Sequence, residues 1–250
     1  MSKRYTISAF AALAAWSIAY APVDSNRWSV AGDLSIGASA QADIQWKPNP
    51  DRGSASRTLS GGRRGLTAEC ALDENVPDPA LTLMVPSRDD VGLTTKAQPT
   101  LSWFIESETT TNMRFELFNP QSVEPLYTKT ISAEAGLVEV TLPDAVSLEE
   151  GVKYRWVVFA ECNDGRSQIH ARSFVKRVAT EDVALSDAMS LSEQAYSYAS
   201  QGIWYDALDT LVSAYREQTQ MSTLMDIREL LEQADMEIPL ELSLATAAQS

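Results

Sequence analysis

Few residues in this 250-residue chain could carry chemistry, and their types exclude most familiar active sites. A Ser-His-Asp or Cys-His arrangement would have to use His170, because the chain has one histidine. That residue lies in a predicted strand beside cations, which favours a structural or solvent-facing role. One histidine and two cysteines cannot form a usual four-ligand zinc site without carboxylate help. The sequence therefore predicts no catalytic residue, no metal site and no cofactor.

Two pairs of adjacent carboxylates, Asp89-Asp90 and Glu149-Glu150, are candidates for general acid–base chemistry. A hydrolase of that kind needs two carboxyl groups that converge in a cleft. Neighbouring residues on a strand point to opposite faces, and both pairs fall in turn-like sequence where they are most simply solubilising. A carboxylate-based hydrolase is therefore the weakest of three functional hypotheses, and we predict that the protein is not an enzyme.

The two cysteines, Cys70 and Cys162, are 92 positions apart. In an oxidising compartment an even count predicts a disulfide bond, and two unpaired thiols are the alternative. Closing a loop of that length is worth roughly 4–5 kcal/mol in the chain-entropy treatment.

A glycine-rich stretch with two arginines, Gly61 to Gly65, invites a phosphate-binding interpretation. It lacks the spacing of a P-loop, and no apolar strand precedes it. A linker is the simpler interpretation, with Arg63 and Arg64 as candidate anion contacts.

Residues 1–42 have the pattern of a targeting segment. Two cations precede an uncharged, alanine-rich run from Tyr5 to Ala21, long enough for the apolar part of a signal peptide. A small-x-small sequence ending at Ala42 is a candidate cleavage site, and an uncleaved anchor is the alternative. Both alternatives predict a periplasmic or extracellular protein, and only an uncleaved segment would contact the membrane.

The chain is strongly acidic, with a formal net charge of −14. Such a protein repels phosphate backbones, so we predict no nucleic-acid partner. Between residues 181 and 241 there are 13 carboxylates and two cations. A solvated helical surface explains this excess most simply, and a docking surface for a basic partner is the alternative.

The pattern of apolar residues divides the body of the chain into two parts. Residues 43–69, rich in Pro, Gly, Ser and Arg, predict a flexible arm. Residues 70–178 contain seven short runs with β character, and Asp164-Gly165 is typical of a hairpin turn. Leu148-x-x-Gly-x-x-Tyr154 resembles the tyrosine corner of immunoglobulin-like sandwiches. We predict a two-sheet sandwich of immunoglobulin or fibronectin type III character, with Trp103 and Trp156 in its core.

After residue 178 the apolar period changes from 2 to 3.6, which predicts three helices over residues 179–240 and a disordered tail over 241–250. Helix packing positions such as Gly202 and Trp204 resemble one tetratricopeptide repeat. Such repeats need neighbours to bury their faces. The predicted fold class is therefore segregated α+β, with a tetratricopeptide-like helical segment packed on the sandwich.

These motifs, in this order, resemble the cyanobacterial domain of unknown function family 928. The resemblance covers about residues 60–240 and implies an exported cyanobacterial protein, with no catalytic residues to carry over. The sequence stretches that carry it are Gly61-Gly-Arg-Arg-Gly65, Cys70, Leu83-Met-Val-Pro86, Pro99-Thr-Leu-Ser-Trp-Phe104, Tyr154-Arg-Trp156, Cys162, Phe174-Val-Lys-Arg-Val178 and Gly202-Ile-Trp-Tyr-Asp-Ala-Leu208.

The leading functional hypothesis is a non-enzymatic protein–protein interaction module of the periplasm or cell surface. It predicts an exposed groove beside the helices, lined by Tyr198, Tyr205 or Tyr215. The alternative is a glycan or envelope-polymer binding protein, in which Trp46, Trp204 and Tyr205 would stack on sugars.

Overall fold

The computed structural model describes residues 43–50, 70, 78–86, 91–186, 188–236 and 238. The predicted targeting segment, the candidate anion contacts Arg63 and Arg64, the pair Asp89-Asp90 and the tail 241–250 lie outside these residues. The described part is mixed α+β, with two sheets followed by three helices. The elements are β1 (Ala80–Leu83), β2 (Val91–Thr94), β3 (Thr100–Glu106), β4 (Thr111–Phe118), β5 (Tyr127–Ala133), β6 (Gly136–Thr141), β7 (Lys153–Glu161), β8 (Gln168–Arg177), α1 (Leu191–Ser200), α2 (Trp204–Gln218) and α3 (Met221–Glu232).

The strands form a three-stranded sheet of order β1-β3-β6 and a five-stranded sheet of order β2-β8-β7-β4-β5. All neighbours are antiparallel except β2, which runs parallel to β8. The sequence predicted seven of these strands and missed β2. Its four residues, Val-Gly-Leu-Thr, are all buried, so they show no polar–apolar alternation.

The two sheets pack face to face through aromatic side chains, and together they are called the two-sheet body below. Trp103 of β3 stacks on Phe115 of β4 with ring centroids 6.1 Å apart, and Phe115 also contacts Trp156 of β7. All three side chains are fully buried, as the sequence predicted for both tryptophans. Burying each one contributes roughly 2–3 kcal/mol relative to exposure.

The turn before β7 is fixed by the buried side chain of Tyr154. Its hydroxyl accepts a hydrogen bond from the backbone N–H of Glu149 at 3.1 Å. Arg177 binds the other carboxylate of this acidic pair, Glu150, at 3.2 Å and the carbonyl of Leu148 at 3.3 Å. Arg177 therefore links Glu150 to the corner that Tyr154 fixes.

A disulfide joins Cys70 to Cys162, which confirms the predicted bond. The two Cα atoms are 5.7 Å apart. Cys162 follows β7, and Cys70 precedes β1, so the bond ties the chain entering the two-sheet body to the five-stranded sheet.

The helices α1, α2 and α3, called the helical unit below, pack on the two-sheet body. Trp103 faces the other sheet, and neighbouring residues of a strand point to opposite faces. Ser102 and Glu139, which lie opposite each other on β3 and β6, therefore point away from the sheet interface. There Glu139 forms an ion pair with Arg216 of α2. The apolar residues of α2 form one buried stripe, as its period of 3.6 predicted, and Trp204 and Tyr205 at its start contact the body.

Candidate functional site

The first turn of α2 is anchored inside the two-sheet body by two aromatic residues. Trp204 is fully buried, and its indole Nε1–H donates to the carbonyl of Met84 at 2.9 Å. The Tyr205 hydroxyl accepts from Trp156 Nε1 at 3.1 Å and donates to the carbonyl of Phe174 at 3.1 Å. The indole N–H of Trp204 and the hydroxyl of Tyr205 thus both have hydrogen-bond partners, so burying the two side chains leaves no polar group unpaired.

The tyrosines expected to line an exposed groove lie in or against the core. Tyr205 is 2% exposed, and burial raises the pKa of its hydroxyl far above its usual range. Tyr198 is 8% exposed, and Tyr215 is half-buried against the core. Tyr198 and Tyr205 therefore do not line an exposed groove, because the helical stripe uses both rings to bury itself on the body. Partner contact by the partly exposed Tyr215 stays a prediction.

A buried carboxylate, Asp206, connects α2 to the segment after β2. Its oxygens accept from Thr94 Oγ1 at 2.5 Å, Thr95 Oγ1 at 2.5 Å and the backbone N–H of Thr95 at 2.9 Å. One turn later, Asp209 forms an ion pair with Lys96. Because α2 begins two residues before Asp206, the carboxylate also lies near the positive end of the helix. This cluster positions the helix.

Replacing Asp206 by alanine is expected to lower the free energy of unfolding by about 2–4 kcal/mol. The change leaves three donors of Thr94 and Thr95 without their buried acceptor, and each such loss costs about 1–3 kcal/mol before relaxation. Urea unfolding followed by tryptophan fluorescence measures the loss. As a control, Asp209→Ala removes the partly exposed ion pair and should cost less than about 1 kcal/mol. Equal losses would contradict the role given to Asp206.

The same carboxylate predicts a pH dependence of stability. Burial raises the pKa of Asp206 above its ordinary value, against the opposing effect of its hydrogen bonds. Between the unfolded and folded pKa values the folded state therefore binds more protons. We expect the free energy of unfolding of the wild type, relative to Asp206→Asn, to increase as the pH is lowered from 7 toward about 4. A relative stability that decreases over this range would contradict the assigned direction.

Residues 43–50, called the arm segment below, pack against the helical unit instead of forming the start of a flexible arm. Ile44 is fully buried in the common core. Trp46 packs edge-on against Trp204, with ring centroids 4.9 Å apart. Ile44 and Trp46 are two positions apart, so in an extended segment both side chains point to the same side. Burial of their apolar surface stabilises the packed position of a segment that is otherwise polar.

The backbone of the arm segment is also held by hydrogen bonds. The side-chain amide of Gln233, just after α3, accepts from the N–H of Trp46 at 2.6 Å and donates to the carbonyl of Ile44 at 2.9 Å. The N–H of Lys47 donates to the carbonyl of Ala199 in α1 at 3.1 Å. We call this seat, formed by Ala199, Gly202, Trp204 and Gln233, the helical groove.

The arm segment also explains why a glycine separates α1 from α2. Gly202 has φ +77°, and a Cβ there would lie 2.5 Å from the backbone nitrogen of Asn49 and 2.9 Å from the carbonyl oxygen of Lys47. A side chain at this position is therefore excluded both by the backbone conformation and by the passing arm segment.

Replacing Gly202 by alanine is expected to lower the free energy of unfolding by about 2–3 kcal/mol and to displace the arm segment. Thermal unfolding measures the first effect, and faster amide hydrogen exchange of Lys47, whose N–H bonds to Ala199, measures the second. Gly151→Ala is the matched control, because Gly151 has φ +76° but open space around its Cβ position. If both variants lose the same stability, the contact with the arm segment contributes nothing.

A cleft of about 420 Å³ lies beside the arm segment, where the sheet edge meets the helical unit. Its walls mix apolar residues with Lys176 and two amides. The lining residues are Asn49, Leu93, Lys176, Val178, Val183, Gln201 and Ile203.

Within the described residues, no cluster of three or more His, Cys, Asp or Glu side chains has metal-binding geometry. His170 packs against Phe159 with ring centroids 5.5 Å apart, and burial together with Arg172 lowers its pKa. In the same part of the chain, no helix combines the length and apolar character needed to span a membrane.

Sequence reasoning missed the roles of Ile44 and Asp206. The signal for the first was the apolar alternation Ile-x-Trp within an otherwise polar arm. The signal for the second was a carboxylate in the middle of an apolar helical stripe. Both signals are short, and their meaning depends on a partner more than 100 residues away.

Fold and site together define a mixed α+β protein whose helical unit holds an extended segment. Residues 59–246 match the family described as Domain of Unknown Function (DUF928), and the chain belongs to this family. The matched range begins after the arm segment. No curated protein matches the chain.

Two solved structures show weak likenesses. One is an engineered protein determined at 1.98 Å, with 10% identity, coverage of 40% of this chain and 20% of that chain, and a TM-score of 0.27. The other is astrotactin-2, a vertebrate-specific and perforin-like membrane protein involved in neuronal development, with 13% identity, coverage of 63% and 28%, and a TM-score of 0.27. The chain thus spans less than a third of the length of either solved structure.

Proposed function

We propose that the protein is an exported, non-enzymatic interaction module whose helical unit recognises an extended polypeptide segment. The observation that carries this proposal is the seating of the arm segment in the helical groove. Ile44 is fully buried there and Trp46 is partly buried against Trp204. Gln233 and Ala199 form hydrogen bonds to the backbone between and beside these two residues. Backbone bonds with alternate side-chain pockets are a recurrent mode of peptide recognition.

The finer architecture proposed for the two parts agrees with this role. The strand order, with β2 parallel to β8, and the hydroxyl bond of Tyr154 support an immunoglobulin or fibronectin type III relationship for the body. The pair α1–α2, with Gly202 at the turn, supports a tetratricopeptide-like helical unit. One and a half repeats cannot bury their faces alone, and the body supplies the missing neighbour.

A periplasmic or extracellular location is part of the proposal. A disulfide such as Cys70–Cys162 persists in oxidising compartments and is rare in the cytoplasm. Fusion of the first 42 residues to a reporter that is active only after export tests this location. A reporter that stays in the cytoplasm would contradict it.

The glycan-binding alternative is weakened because the aromatic rings proposed to stack on sugars already contact other residues of the protein. Trp204 is fully buried, and Trp46 packs against it. Tyr205 bonds to Trp156 and Phe174. All three rings therefore have internal partners.

The test supplies the recognised segment in trans. A fluorescent peptide with the sequence of residues 43–50 is titrated into the full chain and into the full-chain variant Ile44→Ser/Trp46→Ser, whose own arm segment has lost both anchors. We expect saturable binding to the variant and at least tenfold weaker binding to the wild type, because the tethered segment competes at high effective concentration.

Two controls make this test specific. A peptide with alanine at the Trp46 position should bind at least tenfold more weakly, since it lacks the ring that contacts Trp204. Adding Gln233→Ala to the variant should also weaken binding. The proposal fails if the variant, shown to be folded by circular dichroism, binds no peptide, or if the wild type binds it equally well.

A further inference from the structure

The outward face of the five-stranded sheet concentrates cations in an otherwise acidic protein. Phe115 and Trp156 face the small sheet, so their strand neighbours point outward. On β4, β7 and β8 this face carries five cations and the carboxylates Glu116 and Glu161. We call it the cationic face, and its cations are Arg114, Lys153, Arg155, Arg172 and Lys176.

Phenylalanine rings lie beneath three of these cations, and Arg114 also forms an ion pair with Glu116 at 2.8 Å. The guanidinium carbon of Arg155 lies 4.3 Å from the ring centre of Phe118, and that of Arg114 lies 4.5 Å from Phe159. The ammonium of Lys153 lies 4.9 Å from the ring centre of Phe174. Cations held over rings lose little side-chain freedom when they bind an anion, so the face is preorganised.

In two of the arginines the Nε–H group makes no hydrogen bond within the described part of the protein. The Nε atoms of Arg155 and Arg172 are buried and have no hydrogen-bond partner among the described residues. Both residues are nevertheless partly exposed. Arg172 lies opposite Val157, two positions along β7 from Arg155, so the two side chains are diagonal neighbours. Burial and the charge of Arg172 also lower the pKa of the adjacent His170.

The spacing of the cations matches an extended polypeptide. Outward positions recur every two residues, about 6.6 Å along a strand, and neighbouring strands are about 4.8 Å apart. A peptide with carboxylates at alternate positions has the same repeat when it lies along β7 and β8. We propose that the cationic face binds an extended acidic segment of a partner protein, at a site separate from the helical groove.

A sugar polymer fits this face less well. Sugar rings bind proteins largely by stacking on exposed aromatic faces, and the rings of Phe118, Phe159 and Phe174 each have a cation over them. What the face offers is guanidinium and ammonium groups, and guanidinium groups pair bidentately with carboxylates.

The experiment titrates a fluorescent peptide of four Glu-Thr repeats into the full chain at low salt and follows anisotropy. The test variant is Arg155→Gln/Arg172→Gln. The matched control is Lys129→Gln/Arg166→Gln, which removes the same total charge outside the cationic face. Lys129 lies on the outer strand β5 and points to the opposite face of the sheet, and Arg166 lies in the turn between β7 and β8. Thermal unfolding checks that both variants remain folded.

We expect the test variant to bind at least tenfold more weakly and the control variant to bind within twofold of the wild type. Raising the salt should weaken wild-type binding, since the contacts are ionic. The proposal is overturned if no saturable binding occurs, if both variants lose the same affinity, or if heparin binds the face while the peptide does not. Binding of the residue 43–50 peptide should be unchanged in the test variant, which separates this site from the helical groove.

Discussion

Loss of the Cys70–Cys162 bond is expected to lower the free energy of unfolding by about 4–5 kcal/mol. The bond closes a loop spanning 92 positions, so its loss returns much conformational freedom to the unfolded chain. Both cysteines are buried, and their replacement by serine adds polar groups to the core. Urea unfolding of the oxidised protein, with and without dithiothreitol, measures the difference.

The serine double variant provides the control for this result. It should unfold at the same low urea concentration with and without reductant, because it has no bond to break. A wild-type midpoint that dithiothreitol does not move, with reduction verified by thiol titration, would show that the bond contributes nothing to stability.

Replacement of Trp204 by alanine is expected to cost about 3–5 kcal/mol, the second large effect. The indole is fully buried, bonds to the carbonyl of Met84 and contacts Trp46. Its removal leaves a cavity at the junction of the two-sheet body, the helical unit and the arm segment. Chemical unfolding followed by circular dichroism measures the loss.

A second substitution separates the ring from its hydrogen bond. Trp204→Phe keeps most of the packing but leaves the Met84 carbonyl without its donor, so it should cost about 1–3 kcal/mol. If alanine were tolerated at this position with less than 1 kcal/mol lost, the helical unit would not depend on this anchor.

Much of the fold could be predicted because its signals are local. Apolar residues recur every two positions in Lys153–Glu161 and every 3.6 positions in Trp204–Gln218. Each pattern indicates an element with one buried face. The disulfide followed from an even cysteine count and an inferred compartment. Strand β2 could not be predicted, because its burial comes from the parallel neighbour β8 and from Tyr205 against Gly92.

The site was harder to predict because its residues act through distant partners. The helical stripe was recognised, but the sequence cannot tell whether Tyr205 faces solvent or the body. Its bond to Trp156 spans 49 positions. Similarly, the contact of Trp46 with Gln233 spans 187 positions, and polar neighbours in the arm conceal it. The cationic face depends on register across three strands, which local sequence does not determine.

Amide hydrogen exchange of the arm segment tests most directly whether the helical groove holds a bound polypeptide. The N–H groups of Trp46 and Lys47 bond to Gln233 and Ala199, so both should exchange at least a hundredfold more slowly than in an isolated peptide of residues 43–50. Gln233→Ala should remove most of the protection at Trp46. Exchange of both amides at the rate of the isolated peptide would show that the groove does not bind the segment.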